Sequence, residues 1–322
     1  VTLKGKGIVL EEPSVVAIEK KSGNVIATGN EAKEMLGRTP DTINVIRPLK
    51  DGVIADLTAT QLMLKNLMNK VSQRYRVIRP RVVVGVPSGI TEVEERAVQE
   101  AVLQAGAREV YLIEEPMAAA IGAGLEVAEP TGSIIVDIGG GTTEVAVISL
   151  GGIVVSTSIR IAGDELDEDI INYVKRELNM VIGETTAEEI KKTIGCAAPL
   201  MTDVPMKIRG RDLGTGLPRN IEVYSSQILE AMTDSINEIV ESIKQTLEKT
   251  PPELASDISE KGIVLAGGGA LIQNIDKLLS YKTGMPVYIA DEPLNCVVKG
   301  TAKTIEDLER LRTVLVNSRK RR

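Results

Sequence analysis

The segment that carries most chemical information begins at Val136 and reads Val-Asp-Ile-Gly-Gly-Gly-Thr-Thr-Glu-Val-Ala-Val. An apolar run ends at Asp137, three glycines turn the chain, and a second apolar run follows two threonines. Consecutive glycines let backbone N–H groups converge on an anion, because no Cβ stands in the way. Asp137 lies where such a cradle would hold a metal-bound water. The pattern favours a phosphate-binding turn over an ordinary glycine-rich hairpin.

A second glycine run, Gly267-Gly268-Gly269, follows the apolar stretch Ile263–Ala266 and precedes a helical pattern. Glycines at this place allow a flat ligand to approach the backbone closely. A plain turn between a strand and a helix explains the run equally well.

A third segment places two carboxylates, Glu114 and Glu115, at the end of a predicted strand and directly before Pro116. Proline fits the first turn of a helix. A carboxylate at a strand end can orient a water for attack on a phosphoryl group. Taken alone, the segment favours a simpler interpretation, in which both carboxylates stabilise the positive end of the helix.

The composition excludes several other chemistries. Histidine is absent, which excludes Ser-His-Asp and Cys-His catalysis and the usual zinc and haem sites. The two cysteines, Cys196 and Cys296, form neither a disulfide framework nor a zinc-ligand spacing. The net charge of −7 argues against a nucleic-acid partner. No apolar run reaches the ~18 residues of a membrane-spanning helix, and no signal peptide is evident, so a cytoplasmic location is expected.

The elements that must position these motifs alternate between strand and helix signals, which predicts an α/β fold. Arg81–Val86, a capping box that begins at Thr91, and a strand over 109–113 predict a strand–helix–strand unit with a buried parallel pair. A long amphipathic helix is predicted from about 226 to 249, with its apolar face in the core.

Taken together, the three motifs resemble the superfamily of actin, heat-shock chaperone and hexokinase ATPases, and most of all its bacterial members, the MreB family. Further segments carry the resemblance, and it extends over nearly the whole chain; these segments are 5–18, 36–40, 47–56, 250–254 and 292–300. The resemblance implies an actin-like α/β fold of two lobes. Each lobe has a mixed sheet flanked by helices, and the nucleotide is expected in the inter-lobe cleft.

The resemblance also implies four subdomains with approximate boundaries. Subdomain IA comprises 1–8, 51–124 and 299–322, and subdomain IB comprises 9–50. Subdomain IIA comprises 125–157 and 221–298, and subdomain IIB comprises 158–220.

Roles for residues of all three motifs follow from the resemblance. Glu115 matches the residue that polarises the attacking water, Thr142 is its helper, and Asp137 is expected to hold Mg²⁺ through water. The residues expected to bind ATP or ADP are Asp137, Gly139, Gly140, Gly141, Thr142 and Thr143 in the phosphate turn, Glu188, Glu189, Ile190 and Lys191 near the ribose and base, and Gly267, Gly268, Gly269, Ala270 and Leu271 in the adenosine motif. Charge spacing alone favours a solvated helix face for 188–191.

A basic loop over 72–80 is the candidate for membrane contact. Val77 and Ile78 match a small hydrophobic loop that dips into the bilayer in the family. Arg74, Arg76 and Arg79 would meet anionic headgroups at ~1 kcal/mol each. An apolar strand start beside solvated arginines explains the loop equally well.

The resemblance implies a cytoskeletal ATPase that polymerises into protofilaments of its own copies. It would lie on the inner face of the cell membrane, as a peripheral cytoplasmic protein, and direct cell shape by organising cell-wall synthesis. Its expected partners are therefore other copies of itself, the membrane and the cell-wall synthesis machinery, with no nucleic acid.

Three alternatives remain. In the family, a first phosphate loop with Asp, Gly and Thr lies just before the position of Val1, which keeps open a nucleotide-binding scaffold with little or no hydrolysis. A chaperone-type ATPase would need a substrate-binding domain after the ATPase core. A small-molecule kinase would need a catalytic Asp that faces an acceptor hydroxyl.

Overall fold

The structure is a computed structural model that describes residues 1–50, 52–72, 79–309, 311 and 314–316. The chain divides into two compact units. Unit 1 comprises the residues up to Gly122 together with those from Val297 onward, and unit 2 comprises Ala123–Cys296. The finer division into four subdomains stays a prediction.

Unit 1 begins with short strands and then builds helices around a parallel strand pair. Its elements up to the crossing into unit 2 are β1 (Thr2–Leu3), β2 (Gly7–Ile8), β3 (Val16–Glu19), β4 (Val25–Thr28), α1 (Asn30–Glu34), β5 (Ile43–Ile46), β6 (Leu49–Lys50), β7 (Val53–Ile54), α2 (Leu57–Ser72), β8 (Arg81–Val86), α3 (Glu92–Gln104), β9 (Glu109–Glu114) and α4 (Glu115–Ala123). Strand β3 is the centre of a three-stranded antiparallel sheet, β4–β3–β5.

The predicted strand–helix–strand unit is confirmed. Strands β8 and β9 pair in parallel, with Arg81 opposite Glu109 and Val86 opposite Glu114. Helix α3 connects them, and its capping box is present, since Thr91 Oγ1 accepts from Glu94 N at 3.3 Å and Glu94 Oε2 accepts from Thr91 N at 2.7 Å. Such a box satisfies two backbone donors at the start of a helix.

Unit 2 contains the larger sheet and the long helix. Its elements are β10 (Ser133–Ile138), β11 (Thr143–Ser149), β12 (Gly152–Ile159), α5 (Gly163–Glu177), β13 (Met180–Val181), α6 (Glu184–Ile194), β14 (Pro205–Asp212), β15 (Pro218–Tyr224), α7 (Ser225–Glu248), α8 (Pro252–Lys261), β16 (Ile263–Ala266), a 3₁₀ turn (Gly268–Leu271), α9 (Ile275–Thr283), β17 (Val287–Ile289) and a second 3₁₀ turn (Pro293–Asn295). Strands β13, β14 and β15 form a separate antiparallel sheet.

The five-stranded sheet of unit 2 has the order β12–β11–β10–β16–β17. Strand β10 pairs antiparallel with β11 and parallel with β16. Every residue of β10 is buried, which explains why it reads as a continuous apolar run up to Asp137. Helix α7 confirms the predicted long helix, and its apolar stripe lies in the core.

Helix α10 (Cys296–Glu306) returns the chain to unit 1 and packs against α4. A Cβ at Gly300 would overlap the backbone carbonyl of Ala118, so only glycine allows the two helices to lie this close. Lys303 Nζ donates to Ile121 O at 2.9 Å, near the end of α4. These contacts hold the helix that begins with Glu115.

Replacing Gly300 with alanine should therefore lower the stability of the protein. The added methyl group overlaps backbone that cannot move without shifting α4, and overpacking of this kind costs about 1–3 kcal/mol. Urea unfolding followed by circular dichroism measures the effect. Gly183→Ala is the matched control, because a Cβ there meets no atom within 4 Å. Equal unfolding midpoints for the two variants would contradict this view of the α4–α10 contact.

Candidate functional site

The first glycine run forms the turn between β10 and β11, as predicted. Gly139 N donates to Thr142 O at 2.9 Å and closes the turn. The Thr143 hydroxyl donates to Ile161 O at 2.6 Å, which ties the start of β11 to the segment before α5. A Cβ added at Gly140 would have the Asp164 carboxylate oxygens as its nearest neighbours, at 3.8 and 3.9 Å. The backbone at Gly140 is therefore not crowded by protein.

The N-terminus of α5 fixes the orientation of this turn. Gly163 N donates to Gly139 O at 3.1 Å, and Asp164 N donates to Gly140 O at 2.7 Å. In a trans peptide the C=O and the following N–H point in opposite directions, and the described chain has no cis bond. The N–H groups of Gly140 and Gly141 therefore point together, away from α5. Neighbouring N–H groups that point the same way form an anion-binding concavity.

The second glycine run lies directly beside the first. Parallel pairing sets Asp137 opposite Ala266, so Gly267 follows at the same edge of the sheet. Gly267 has a φ of +79°, and a Cβ there would overlap the Ile138 carbonyl and the Asp137 carboxylate. A Cβ at Gly269 would overlap the Ile138 side chain. The structure thus brings the two glycine runs together, and glycine is required for both close approaches.

Asp137 is the buried acid at the centre of this arrangement. It is 7% exposed and lies between the two glycine runs. Burial raises the pKa of Asp137 to about 7, because desolvation disfavours the charged carboxylate. A buried carboxylate of this kind is stabilised in its charged form when a cation is bound nearby.

The residues present fit a magnesium ion held partly by water. Mg²⁺ is usually bound by one or two carboxylates, several waters and phosphate oxygens. Asp137 supplies one carboxylate beside the turn. Among the described residues, no group of three or more His, Cys, Asp or Glu side chains is placed to hold a metal ion. Asp137 would therefore hold the ion together with water and phosphate oxygens.

The raised pKa predicts a pH-dependent stability that Asp137→Asn removes. Between pH 3.8 and about 7 the unfolded chain has lost this proton while the folded state retains it. The free energy of unfolding therefore falls as pH rises through this range. Without metal or nucleotide, the stability of Asp137→Asn relative to the native sequence should rise by up to about 4 kcal/mol from pH 4 to above pH 7.

Urea unfolding at several pH values, with a chelator present, measures this difference. Asp41→Asn, at an exposed position, controls for the loss of one surface carboxylate. A stability difference that stays constant from pH 4 to pH 8 would show that burial does not hold the Asp137 proton.

The predicted ribose and base segment lies on α6, and its four residues differ in environment. Ile190 is fully buried in the core of unit 2, and Glu189 is exposed. Glu188 is half-buried and accepts from Lys192. Lys191 Nζ lies 2.8 Å from Asp167 Oδ1 and also donates to Gly163 O. Lys191 thus links α6 to the start of α5.

The C-terminal end of α6 lies against the adenosine motif. Cys196 forms a parallel β-bridge with Gln273, and Ala197 N donates to Gln273 O at 2.8 Å. Gln273 follows the 3₁₀ turn Gly268–Leu271 by two residues, and in that turn Ala270 is buried while Leu271 is 55% exposed. The residues that follow α6 and those that follow the turn Gly268–Leu271 are therefore neighbours in one unit, and the assignment of 188–191 and 267–271 to one site stays a prediction.

Glu115 belongs to unit 1, where it is the first residue of α4. It is half-buried, and its side chain lies over Gly85 of β8. A Cβ at Gly85 would come within 3.2 Å of Glu115 Cγ and 3.3 Å of Val297 Cγ1. The glycine leaves the space that the Glu115 side chain occupies.

The sequence reasoning missed three residues that contact or face the predicted site. Glu144 is 2% exposed and pairs directly with Asp137, so both side chains face the same side of the sheet. On α5, Gly163 contacts both the turn and Lys191, and Asp167 contacts Lys191. Glu144 could have been found from strand alternation once the turn length was known, whereas no local signal marks Gly163 or Asp167.

The predicted membrane-contact residues, Val77 and Ile78, lie outside the described residues. No helix in the described part of the chain is both long and apolar enough to cross a membrane.

Comparison with known proteins identifies the family. A family model described as MreB/Mbl protein matches residues 1–313. The chain belongs to the MreB/Mbl family.

Two curated members show how similar this chain is to the MreB/Mbl family. It is 55% identical over 312 residues to the cell shape-determining protein MreB of Escherichia coli (strain K12), covering 95% of this chain and 90% of that protein. It is 50% identical over 309 residues to the cell shape-determining protein Mbl of Bacillus subtilis (strain 168), covering 96% and 93%.

Solved structures of an MreB protein confirm the actin-like α/β fold class. The crystal structure of MreB5 of Spiroplasma citri bound to ADP matches with a TM-score of 0.90 and 41% identity, covering 95% of this chain and 93% of that one. The same protein bound to AMPPNP matches with a TM-score of 0.89 and 40% identity, covering 95% and 92%.

Proposed function

We propose that this chain binds and hydrolyses ATP with Mg²⁺ and assembles into filaments that direct bacterial cell shape. The observation that carries the proposal is the glycine turn, whose Gly140 and Gly141 N–H groups point together beside the buried Asp137. Relatives that are 50% and 55% identical are named cell shape-determining proteins. MreB5, which is about two-fifths identical, binds ADP and AMPPNP.

In this proposal the backbone of the turn binds the phosphates. The N–H groups of Gly140 and Gly141 donate to phosphate oxygens, which a side chain at Gly140 would obstruct. Asp137 would hold a magnesium ion through water, and the bound ion would supply positive charge that offsets the charge of the phosphates. The residues 188–191 and 267–271 receive the ribose and base.

Glu115 would act as the water-orienting residue, with Thr142 as its helper. Phosphoryl transfer needs positioning and electrostatic stabilisation more than covalent chemistry by the protein. A chain without histidine can therefore perform it with a carboxylate, a hydroxyl and backbone N–H groups. The Glu115 side chain has a defined place over Gly85, which suits a positioning role.

The proposed partners are other copies of this chain, the inner face of the cell membrane and the machinery of cell-wall synthesis. The names of the relatives support the link to cell shape. Val77 and Ile78, flanked by arginines, are the proposed membrane contact. One short apolar loop is a weak anchor, so repeated contacts along a filament would be required for stable binding.

High-speed pelleting with Mg-ATP, Mg-ADP or no nucleotide tests the proposal, with phosphate release measured in the same tubes. We expect pelleting that depends on ATP and is accompanied by phosphate. ATP-dependent pelleting without phosphate would favour a nucleotide-binding scaffold that does not hydrolyse. The absence of both pelleting and phosphate release would contradict the proposed function.

Glu115→Gln should slow phosphate release at least about tenfold, because loss of a positioned general base typically costs 10²–10⁴ in rate. ATP-dependent pelleting should change less, since the variant retains the phosphate turn. Glu114→Gln is the matched control, because it removes the neighbouring carboxylate at the end of β9. If Glu114→Gln slows phosphate release more than Glu115→Gln does, the assignment of the two carboxylates is wrong.

A further inference from the structure

Lys191 lies where three segments of unit 2 meet, namely the turn after β10, the start of α5 and helix α6. The turn is the phosphate half of the proposed site, and α6 carries the ribose and base segment. The turn after β10 contacts α5 through Gly163 and Asp164. Lys191 of α6 donates to Gly163 O and pairs with Asp167, which lies one helical turn further along α5. A Cβ at Gly163 would lie 3.2 Å from Gly139 O and 3.3 Å from Lys191 Nζ, so glycine leaves room for these close contacts.

The Asp167–Lys191 ion pair is nearly withdrawn from solvent. The side chains of Lys191 and Asp167 are 13% and 11% exposed, and Nζ and Oδ1 are 2.8 Å apart. The Lys191 ammonium donates to Gly163 O and forms an ion pair with Asp167. Burial raises the pKa of Asp167, and the neighbouring Lys191 lowers it in part. The Lys191 ammonium is therefore held in a fixed position against α5.

Lys191 lies in the last turn of α6, where it contacts the start of α5, which holds the phosphate turn. The segment that follows α6 contacts the segment that follows the adenosine motif, through the Cys196–Gln273 bridge. The C-terminal end of α6 is therefore close to both parts of the proposed site. Among the described contacts of Lys191, both partners belong to α5.

We propose that Asp167 and Lys191 are positioning residues that couple the phosphate turn to the ribose and base segment. The proposal rests on the proposed nucleotide binding. The ion pair sets the separation between the two halves, so that one ATP molecule fits both at once. Asp167 need not touch the nucleotide, whereas Lys191 belongs to the proposed ribose and base segment and also holds α6 against α5.

The test compares the whole ligand with its two parts. Dissociation constants for Mg-ATP, Mg-tripolyphosphate and adenosine are measured by calorimetry or displacement. The proteins are the native sequence, Asp167→Asn, Lys191→Met and the double variant Asp167→Asn/Lys191→Met. The double variant guards against misfolding, because it removes both charges and leaves no unpaired ion in the buried place. Asp212→Asn, which removes the ion pair with Arg219 at 2.9 Å, is the matched control.

We expect Asp167→Asn to weaken ATP binding about tenfold, in the usual range of coupling between sites. In Asp167→Asn, tripolyphosphate and adenosine should bind within about twofold of the native sequence, because this substitution leaves the proposed binding residues of each half in place. The double variant should bind ATP no more weakly than either single variant, because both residues act through one interaction. Asp212→Asn should bind all three ligands as the native sequence does.

Two results would overturn the proposal while leaving nucleotide binding in place. In one, folded Asp167→Asn and the double variant bind ATP as tightly as the native sequence. In the other, all three ligands weaken in proportion, which would show that the pair only maintains the fold. A native chain that binds no ATP would overturn the proposed function as well, and this result is distinct from the other two.

Discussion

Strand β10 is held between an antiparallel neighbour and a parallel neighbour, and this pairing determines where the chemistry of unit 2 lies. The antiparallel pairing with β11 turns the chain through the first glycine run, and the parallel pairing with β16 brings the second run to the same edge. Asp137 is at that edge, where backbone from both runs approaches it. Because a Cβ at Gly267 or Gly269 would overlap β10, the pairing depends on glycine as much as on hydrogen bonds.

The pairing also explains why the site uses so few side chains. The first N–H groups of α5 donate to the carbonyl groups of Gly139 and Gly140, so the N–H groups of Gly140 and Gly141 point away from α5. Backbone donors fixed in this manner need no reorganisation when an anion binds. A phosphate site built from such donors would not require histidine, which this chain lacks. Asp137, which is buried beside the turn, has a raised pKa because burial disfavours its charge.

Much of this could be predicted from the sequence, because the signals are local. The glycine turn, the capping box at Thr91 and the stripe of α7 depend on residues close together in the chain, and all three are confirmed. Contacts across long separations could not be predicted in this way. The pairing of Asp137 with Glu144 depends on the turn length, and the meeting of Gly163, Asp167 and Lys191 depends on how two helices pack. The placement of Ile190 in the core likewise follows from which face of α6 is covered.

The most direct measurement of the central claim is the affinity of Gly140→Ala for Mg-ATP. In the protein alone the added methyl group meets nothing nearer than Asp164 at 3.8 Å, so the fold should tolerate it. The same methyl group would be on the turn that is proposed to receive the phosphates. We predict an unchanged melting temperature without nucleotide and a loss of ATP affinity of about tenfold, because crowding by an added methyl group costs about 1–3 kcal/mol and about 1.4 kcal/mol is a factor of ten. Native affinity in this variant would contradict the claim that the turn binds phosphate.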